Sequence, residues 1–247
     1  MNMRNILTAS VVCLAGSAAQ AEVLIFAAAS LKEPVDRIAA AFDDVVVTYG
    51  GSGTIARQVS LGAPADIVLL ANTDWMDVLA QAGQVQVDSI ADFASNQLVL
   101  VGPAGAAPVS LDKDTLQKAL GDGRIAVGLT QAVPAGIYAK AAFQSLGLWG
   151  VVSDHLAEVD SVRSAMALVI RGQTPLGVVY QTDVRISDAV AQVAVFPSDS
   201  HPPIRYVAAL TPNVPQEAEA VFAFLFTAEG QAILAESGFL PPIDQSQ

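Results

Sequence analysis

Short runs of consecutive apolar residues recur along this chain, and segments with the signals of helix starts separate them. Residues 23–29 and 66–71 are two such runs, and 45–49 is a further strand-like segment between them. Runs of this kind are typical of strands that are buried on both faces of a sheet. Helices are predicted after them, at 30–42, 54–61 and 75–82. Strands and helices in alternation predict an α/β fold with a parallel sheet.

The same alternation restarts in the second part of the chain. Strands are predicted at 97–101, 124–128, 176–180 and 206–210, and helices at 115–120, 137–146, 161–171, 215–226 and 229–237. No flexible tether separates the two parts, so we expect two α/β lobes between which the chain crosses on strands. That arrangement is typical of a hinged protein that binds its ligand in a cleft.

Residues 1–21 have the pattern of a secretory signal peptide. Their first residues carry Arg4 and no acidic residue, an apolar stretch follows, and an A-x-A sequence ends at Ala21. A buried N-terminal helix is the alternative. Cleavage after Ala21 would remove Cys13, the single cysteine, and a chain without thiols suits an oxidising compartment. No later apolar run approaches the roughly 18 residues that a membrane span requires. We therefore expect a soluble, exported protein in the periplasm.

The charge balance excludes one large class of partner. Twelve Lys and Arg residues face 24 Asp and Glu residues, which gives a formal net charge of −12. Such a chain is repelled by phosphate backbones, so no nucleic-acid partner is expected. Hydrophobic residues make up 53% of the chain, which predicts a sizeable core. One cysteine and two histidines are too few for a zinc cage.

Two serines lie where a predicted strand becomes a helix. Ser30 begins an S-x-x-E pattern that is typical of a capping box, and Ser52 lies between Gly51 and Gly53. The first turn of a helix has unpaired N–H groups and favours negative charge, so both positions are candidate anion contacts. A plain helix cap is the alternative for each serine. The glycines beside Ser52 would let a ligand approach the backbone closely.

Three later positions offer further candidate donors. Pro134 is expected at the first position of a helix that no side chain caps, which leaves the amides of Ala135 and Gly136 available. The helix at 161–171 is expected to start after a cap by Asp160 or Ser161 and to present the Val162 amide. Tyr180 ends a buried strand at the edge where ligands of open α/β sheets collect. An ordinary half-buried tyrosine is the alternative for Tyr180.

Two enzyme hypotheses arise from the same region. Residues 51–56 match G-x-G-x-x-A, which is half of a dinucleotide-binding fingerprint, but they do not follow the first strand. Ser52 and His201 could belong to a secreted serine hydrolase, although neither histidine lies in a motif that favours this. Both hypotheses stay open at this point.

Five segments together resemble one known family. They are FAAASL at 26–31, GSGTIARQ at 51–58, GAPAD at 62–66, VPAGIYA at 133–139 and PLGVVY at 175–180. The chain resembles the bacterial periplasmic molybdate-binding proteins of ABC transporters from residue 23 to about residue 239. The resemblance implies a type II periplasmic-binding fold of two lobes. We expect 22–97 with 200–247 to form lobe 1, and 98–199 to form lobe 2.

The resemblance also implies the ligand and the residues that hold it. A tetrahedral molybdate or tungstate ion is expected in the cleft between the lobes, with no cofactor, no enzymatic activity and no metal other than the molybdenum of the oxyanion. The implied ligand-binding residues are Ser30, Ser52, Ala135, Val162 and Tyr180. The implied partner is the ABC transporter permease in the inner membrane, and a monomer is expected. Some family members have a serine-rich loop where this chain has Gly51 and Gly53.

Two nearby arginines are not expected to bind the anion. Arg57 follows Ser52 by five residues, so its side chain leaves the ring of first-turn amides. Arg163 is expected to point toward solvent, since the apolar stripe of its helix lies elsewhere. A bidentate arginine would also bind phosphate and sulfate readily. Binding of sulfate, phosphate or another anion by the same fold is the alternative function.

Overall fold

A computed structural model describes residues 22–243, and the predicted signal peptide at 1–21 lies outside the described residues. The strands form two five-stranded sheets. The first contains β1 (Val23–Ala28), β2 (Val45–Gly50), β3 (Ile67–Leu70), β4 (Ala91–Ser95) and β10 (Arg205–Leu210), in the order β2-β1-β3-β10-β4. The second contains β5 (Leu98–Pro103), β6 (Ile125–Gly128), β7 (Leu156–Val159), β8 (Leu176–Tyr180) and β9 (Val190–Val195), in the order β7-β6-β8-β5-β9.

Helices pack on both sheets and make the α/β fold that the sequence predicts. They are α1 (Lys32–Ala39), α2 (Ser52–Ser60), α3 (Thr73–Gln81), α4 (Lys113–Leu120), α5 (Pro134–Ser145), α6 (Trp149–Val152), α7 (Val162–Ile170), α8 (Gln181–Val184), α9 (Gln216–Phe224) and α10 (Ala228–Glu236). Within residues 22–243 no single helix is long and apolar enough to cross a membrane. The bent pair α9 and α10 meets those criteria only when the two helices are taken together.

The prediction of a parallel sheet is wrong for one side of each sheet. β1 is parallel to β2 and β3, but β10 is antiparallel to β3 and β4. Likewise β6 is parallel to β7 and β8, while β5 is antiparallel to β8 and β9. The cause is visible in the register, where Leu98 at the start of β5 pairs with Tyr180 at the end of β8. β8 ends at the cleft, whereas β5 begins there, directly after the chain crosses into this sheet. β5 therefore runs away from the cleft and pairs antiparallel with β8.

The chain passes between the sheets at Asn96 and Gln97, and returns through residues 196–204. Tyr206, just after the second crossing, lies at the centre of an aromatic cluster beside both crossings. Its ring centroid is 6.2 Å from that of Phe93, 6.0 Å from that of Tyr180 and 5.1 Å from that of Phe239. The cluster packs Tyr206 of β10 against Tyr180, the last residue of β8. It therefore joins the two sheets behind the cleft.

Candidate functional site

The ends of the strands and the starts of three helices meet around one small cavity. All five of the residues that the sequence singles out lie in its wall. The lining residues are Ala28, Ala29, Ser30, Gly50, Gly51, Ser52, Ala71, Val133, Pro134, Ala135, Val162 and Tyr180. The volume of the cavity is about 10 Å³, far below the roughly 300–1,000 Å³ of pockets for drug-sized ligands. The cavity therefore fits a ligand of a few atoms.

The wall of this cavity is neutral. Among the described residues that line it, none is Lys, Arg, His, Asp or Glu. The five residues that the sequence singles out are all buried, Tyr180 to the extent that 1% of its surface is exposed. Polar atoms removed from water need hydrogen-bond partners, so donors that converge on a neutral, buried cavity favour a ligand that accepts hydrogen bonds.

Backbone amides reach the cavity from the first turns of α2, α5 and α7. Ser52 and Val162 are the first residues of α2 and α7, and Ala135 is the second residue of α5. First-turn amides have no intrahelical acceptor. The start of α5 at Pro134 is confirmed to lack a side-chain cap. The Gly136 amide, which was expected to be available, donates instead to the Val133 carbonyl at 2.8 Å.

Ser161 caps α7, as the sequence allows. Its Oγ accepts from the Ser164 amide at 3.1 Å. The cap leaves the Val162 amide free of this bond and directed out of the helix start. The aligned peptide dipoles of α7 add a partial positive charge at the same place, which favours an anion.

Ser30 does not cap a helix, so the prediction of a capping box at 30–33 is wrong. A 3-10 turn over Ala29–Leu31 precedes α1, and Leu31 takes the N-cap position without a side-chain hydrogen bond. The Ser30 hydroxyl lies 2.9 Å from the hydroxyl of Tyr206 instead. Tyr206 is 176 residues away in sequence, so only the folded chain brings this partner to Ser30.

The other two hydroxyls are poised to donate. Ser52 Oγ accepts from the Ala71 amide at 3.0 Å, which leaves the Ser52 proton for another acceptor. The Tyr180 hydroxyl is buried and has no hydrogen-bond partner among residues 22–243. Burial, with smaller effects from neighbouring groups, raises the pKa of Tyr180 well above its usual value. The phenol therefore stays protonated and needs an acceptor from a ligand.

The two arginines behave differently from each other. Arg57 is exposed and is not among the residues that line the cavity, in agreement with the expectation that its side chain leaves the ring of first-turn amides. The expectation for Arg163 is wrong, because its side chain is only 19% exposed and is held by acidic groups. Arg163 Nε donates to Asp183 Oδ1 at 2.6 Å, and its Nη1 and Nη2 donate to the Glu33 carboxylate at 2.8 and 2.5 Å. Glu33 is 130 residues away in sequence, so the helical pattern around Arg163 carries no signal of it.

This ion-pair group joins the two sheets next to the cavity. Glu33 lies on α1, which follows β1, whereas Arg163 and Asp183 lie on α7 and α8 of the other sheet. Arg163 also donates to the Ser30 carbonyl at 3.3 Å. Burial raises the pKa of Asp183 to about 6 despite the opposing effect of Arg163. For Glu33, burial is outweighed by the hydrogen bond and charge of Arg163, and the pKa lies below its usual value.

Backbone contacts across the cleft are close at two glycines. A Cβ at Gly51 would overlap the carbonyl oxygen of Asp160, and a Cβ at Gly53 would lie 2.5 Å from the carbonyl oxygen of Ala132. Trp75 Nε1 donates to that Ala132 oxygen at 2.8 Å. The cleft is thus closed, and Gly51 and Gly53 are the residues that let the two sides come this close.

The hydrolase hypothesis loses its support here. His201 Nδ1 lies 2.8 Å from the carbonyl oxygen of Pro202, and His201 is not among the residues that line the cavity with Ser52. Among residues 22–243 no three His, Cys, Asp or Glu side chains are grouped so that they could hold a metal ion.

Comparisons with known proteins agree with this architecture. The sequence model of the family "bacterial extracellular solute-binding protein" matches residues 23–240. The chain is 41% identical to the molybdate-binding protein ModA of Haemophilus influenzae over 76% of this chain and 78% of that protein. It is 37% identical to the molybdate-binding protein ModA of Escherichia coli, over 89% of each.

A solved structure shows the same fold. The periplasmic molybdate-binding protein of Azotobacter vinelandii superimposes with a TM-score of 0.78 at 22% identity, over 90% of this chain and all of that one. The two mixed sheets are therefore the two lobes of a periplasmic-binding fold. From the family match and the two close relatives together, the chain belongs to the bacterial extracellular solute-binding proteins, which bind solutes for transport and are not enzymes.

Proposed function

We propose that this protein binds molybdate, and tungstate in the same way, as a tetrahedral dianion in the cavity between the lobes. The observation that carries the proposal is the buried, neutral cavity onto which hydroxyls and first-turn amides converge. The two relatives with 41% and 37% identity are molybdate-binding proteins, and this supports the choice of oxyanion.

The proposed contacts use neutral donors. The hydroxyls of Ser30, Ser52 and Tyr180 and the amides at the starts of α2, α5 and α7 would surround the anion. Hydrogen bonds to a charged acceptor are the stronger kind. Because dehydrating a dianion is costly, nearly every oxygen lone pair must find a donor. Sulfate is smaller, so the same donors cannot all reach it at once.

The direct test is isothermal titration of the purified protein with molybdate, tungstate, sulfate and inorganic phosphate. We expect one site for molybdate and tungstate, with affinities at least about 100-fold above those for the other two anions, a difference of roughly 2.7 kcal/mol. Tighter binding of sulfate or phosphate than of molybdate would contradict the proposal and favour the alternative anion.

Replacing Ser52 with alanine is expected to weaken molybdate binding by about 1.5–3 kcal/mol, the range for a hydrogen bond to a charged group. The loss is expected because Ser52 Oγ already accepts from the Ala71 amide, so that the Ser52 hydroxyl proton is left to donate to the anion. Arg57→Ala on the same helix is the matched control and should cost less than about 1 kcal/mol, as exposed charges do. Calorimetry on both variants decides the point, and a larger effect at Arg57 would rule out a site of neutral donors.

The remaining assignments extend the same proposal. We propose that residues 22–97 with 200–247 form lobe 1 and 98–199 form lobe 2, a division that the membership of the two sheets supports. We propose delivery of the ion, by a monomer in the periplasm, to the permease of an ABC importer in the inner membrane. Membership in a family of solute-binding proteins for transport supports that partner.

A further inference from the structure

A chain of buried hydrogen bonds fixes the direction in which the Ser30 hydroxyl presents its proton. This hydrogen-bond chain starts at Asn96, in the first crossing of the polypeptide between the lobes, and passes through Tyr206 to Ser30. The Gln97 amide donates to Asn96 Oδ1 at 2.9 Å, so the side-chain oxygen of Asn96 faces that amide. Asn96 Nδ2 then donates to Thr182 Oγ1 at 2.9 Å and to the Tyr206 hydroxyl at 3.3 Å.

The orientation of Asn96 decides the rest of the chain. An amide nitrogen only donates, so the Tyr206 oxygen is an acceptor toward Asn96. Ser30 Oγ, at 2.9 Å, is then the acceptor for the Tyr206 proton. Tyr206 is fully buried, and a proton without an acceptor there would carry the cost of an unmade hydrogen bond. Ser30 therefore receives a proton from Tyr206, and its own proton is left for the cavity.

We infer that Tyr206 and Asn96 are specificity-determining positioning residues, which hold Ser30 as a donor and so disfavour oxyanions that carry a proton. The inference rests on the proposed function and deepens it. Ser52 is held in the same way, since its oxygen accepts from the Ala71 amide. With both serine oxygens engaged as acceptors, a P–OH group in the cavity would find few acceptors. Molybdate and sulfate dianions carry no proton and avoid this cost.

The polarity of the site thus adds to its size as a basis for selection. Sulfate and hydrogen phosphate are close in size, so a change in cavity size alters the binding of both. A change in hydrogen-bond direction at Ser30 adds an acceptor that hydrogen phosphate can use through its P–OH group and that sulfate cannot. The ratio of the two affinities is therefore a readout that a merely structural role of Tyr206 would not move.

The experiment measures displacement of bound molybdate by sulfate and by inorganic phosphate for the wild type and for Tyr206→Phe. In the variant, the Ser30 oxygen loses its donor and can accept a proton from phosphate. We expect the affinity for phosphate relative to sulfate to rise about tenfold, as one hydrogen bond allows, with a loss of only a few fold for molybdate. In a Ser30→Ala background the same Tyr206→Phe change should leave the phosphate-to-sulfate ratio unaltered, because the hydrogen-bond chain from Asn96 and Tyr206 acts through the Ser30 hydroxyl.

Two further variants keep the test decisive. Tyr138→Phe removes another buried tyrosine hydroxyl, which donates to the Ala71 carbonyl at 3.2 Å, and it should leave the phosphate-to-sulfate ratio unchanged. Asn96→Asp replaces the donor with an acceptor, so Tyr206 would donate to residue 96 and Ser30 would donate to Tyr206. That variant should raise the same ratio and weaken molybdate binding at least about tenfold. It also serves if Tyr206→Phe fails to fold.

The outcomes separate the inference from the proposed function. A wild-type protein that does not bind molybdate would contradict the proposed function. If the wild type binds molybdate but the phosphate-to-sulfate ratio is unchanged in Tyr206→Phe and Asn96→Asp, the proposed function stands and the inference about Tyr206 and Asn96 is overturned. The inference is also overturned if Tyr206→Phe raises the phosphate-to-sulfate ratio equally in the wild-type and Ser30→Ala backgrounds.

Discussion

Replacing Gly51 with alanine is expected to weaken molybdate binding by about 3 kcal/mol, roughly 150-fold, while the folded lobes stay stable. The backbone of Gly51 has φ −63° and ψ 140°, which alanine adopts without strain. The new Cβ would overlap the Asp160 carbonyl oxygen on the opposite lobe, so we expect the clash to arise when the lobes close and to vanish when they separate. Overpacking costs about 1–3 kcal/mol, and the upper end applies because a backbone oxygen cannot rotate away.

Three measurements check this prediction. Calorimetry gives the loss of affinity, thermal unfolding without ligand should be unchanged, and small-angle scattering at saturating molybdate should give a larger radius of gyration than the wild type. Gly150→Ala is the matched control, since a Cβ at Gly150 meets no atom within 4 Å. If Gly51→Ala binds molybdate as tightly as Gly150→Ala, the closed cleft is not the form that binds the ligand.

Replacing Arg163 with alanine is expected to destabilise the folded chain by about 3–5 kcal/mol at pH 8, as removal of one partner from a buried ion pair does. The Asp183 side chain has no exposed surface, and the variant leaves its charge unpaired. The half-exposed Glu33 contributes less, because solvent screens it. Loss of the contacts from Arg163 to Glu33 and to the Ser30 carbonyl also removes bonds that join the lobes in the closed form.

The size of this effect should depend on pH. The pKa of Asp183 is raised to about 6 in the folded chain, above its value of about 3.9 in unfolded chains. Folding therefore takes up a proton between those values, and the contribution of this group to stability falls as pH rises from about 4 to 6. At pH 5 a protonated Asp183 needs no cationic partner, so Arg163→Ala should cost much less there than at pH 8.

Denaturant unfolding at the two pH values measures the difference. Arg37→Ala is the control, because the Arg37–Glu236 pair has side chains that are 49% and 64% exposed. Its loss should cost at most about 1 kcal/mol and change little between the two pH values. An equal loss at pH 5 and pH 8 for Arg163→Ala would mean that the charge of Asp183 is not what Arg163 stabilises.

The strands that the sequence did not predict are all at sheet edges. β4, β7 and β9 are three of the four outer strands of the two sheets, and each is partly exposed. The fourth outer strand, β2, is predicted at 45–49, where three valines and a tyrosine stand among its residues. The buried strands were found because both of their faces need apolar side chains. A strand with a partner on one side only needs fewer of them, so its sequence differs less from that of a loop.

The sequence signals agree with the structure where backbone geometry forms the wall of the cavity. Amides at helix starts depend on local signals such as Pro134 and Ser161, and these are visible in the sequence. The partners of Ser30 and Arg163 were missed because Tyr206 and Glu33 are distant in sequence. The S-x-x-E pattern at Ser30 indicates a local cap, but neither side chain of the pattern caps the helix. Ser30 contacts Tyr206 instead, and Glu33 binds Arg163.

The contact between Trp75 and Ala132 has a consequence for the time that a ligand stays bound. With Trp75 Nε1 hydrogen-bonded across the cleft and the Gly51 backbone against that of Asp160, the lobes cannot separate around a held ion until these contacts break. The dissociation rate constant is then limited by the rate at which the hinge opens. A permease that draws the lobes apart would shorten the residence time of the ion without touching any of the groups that bind it.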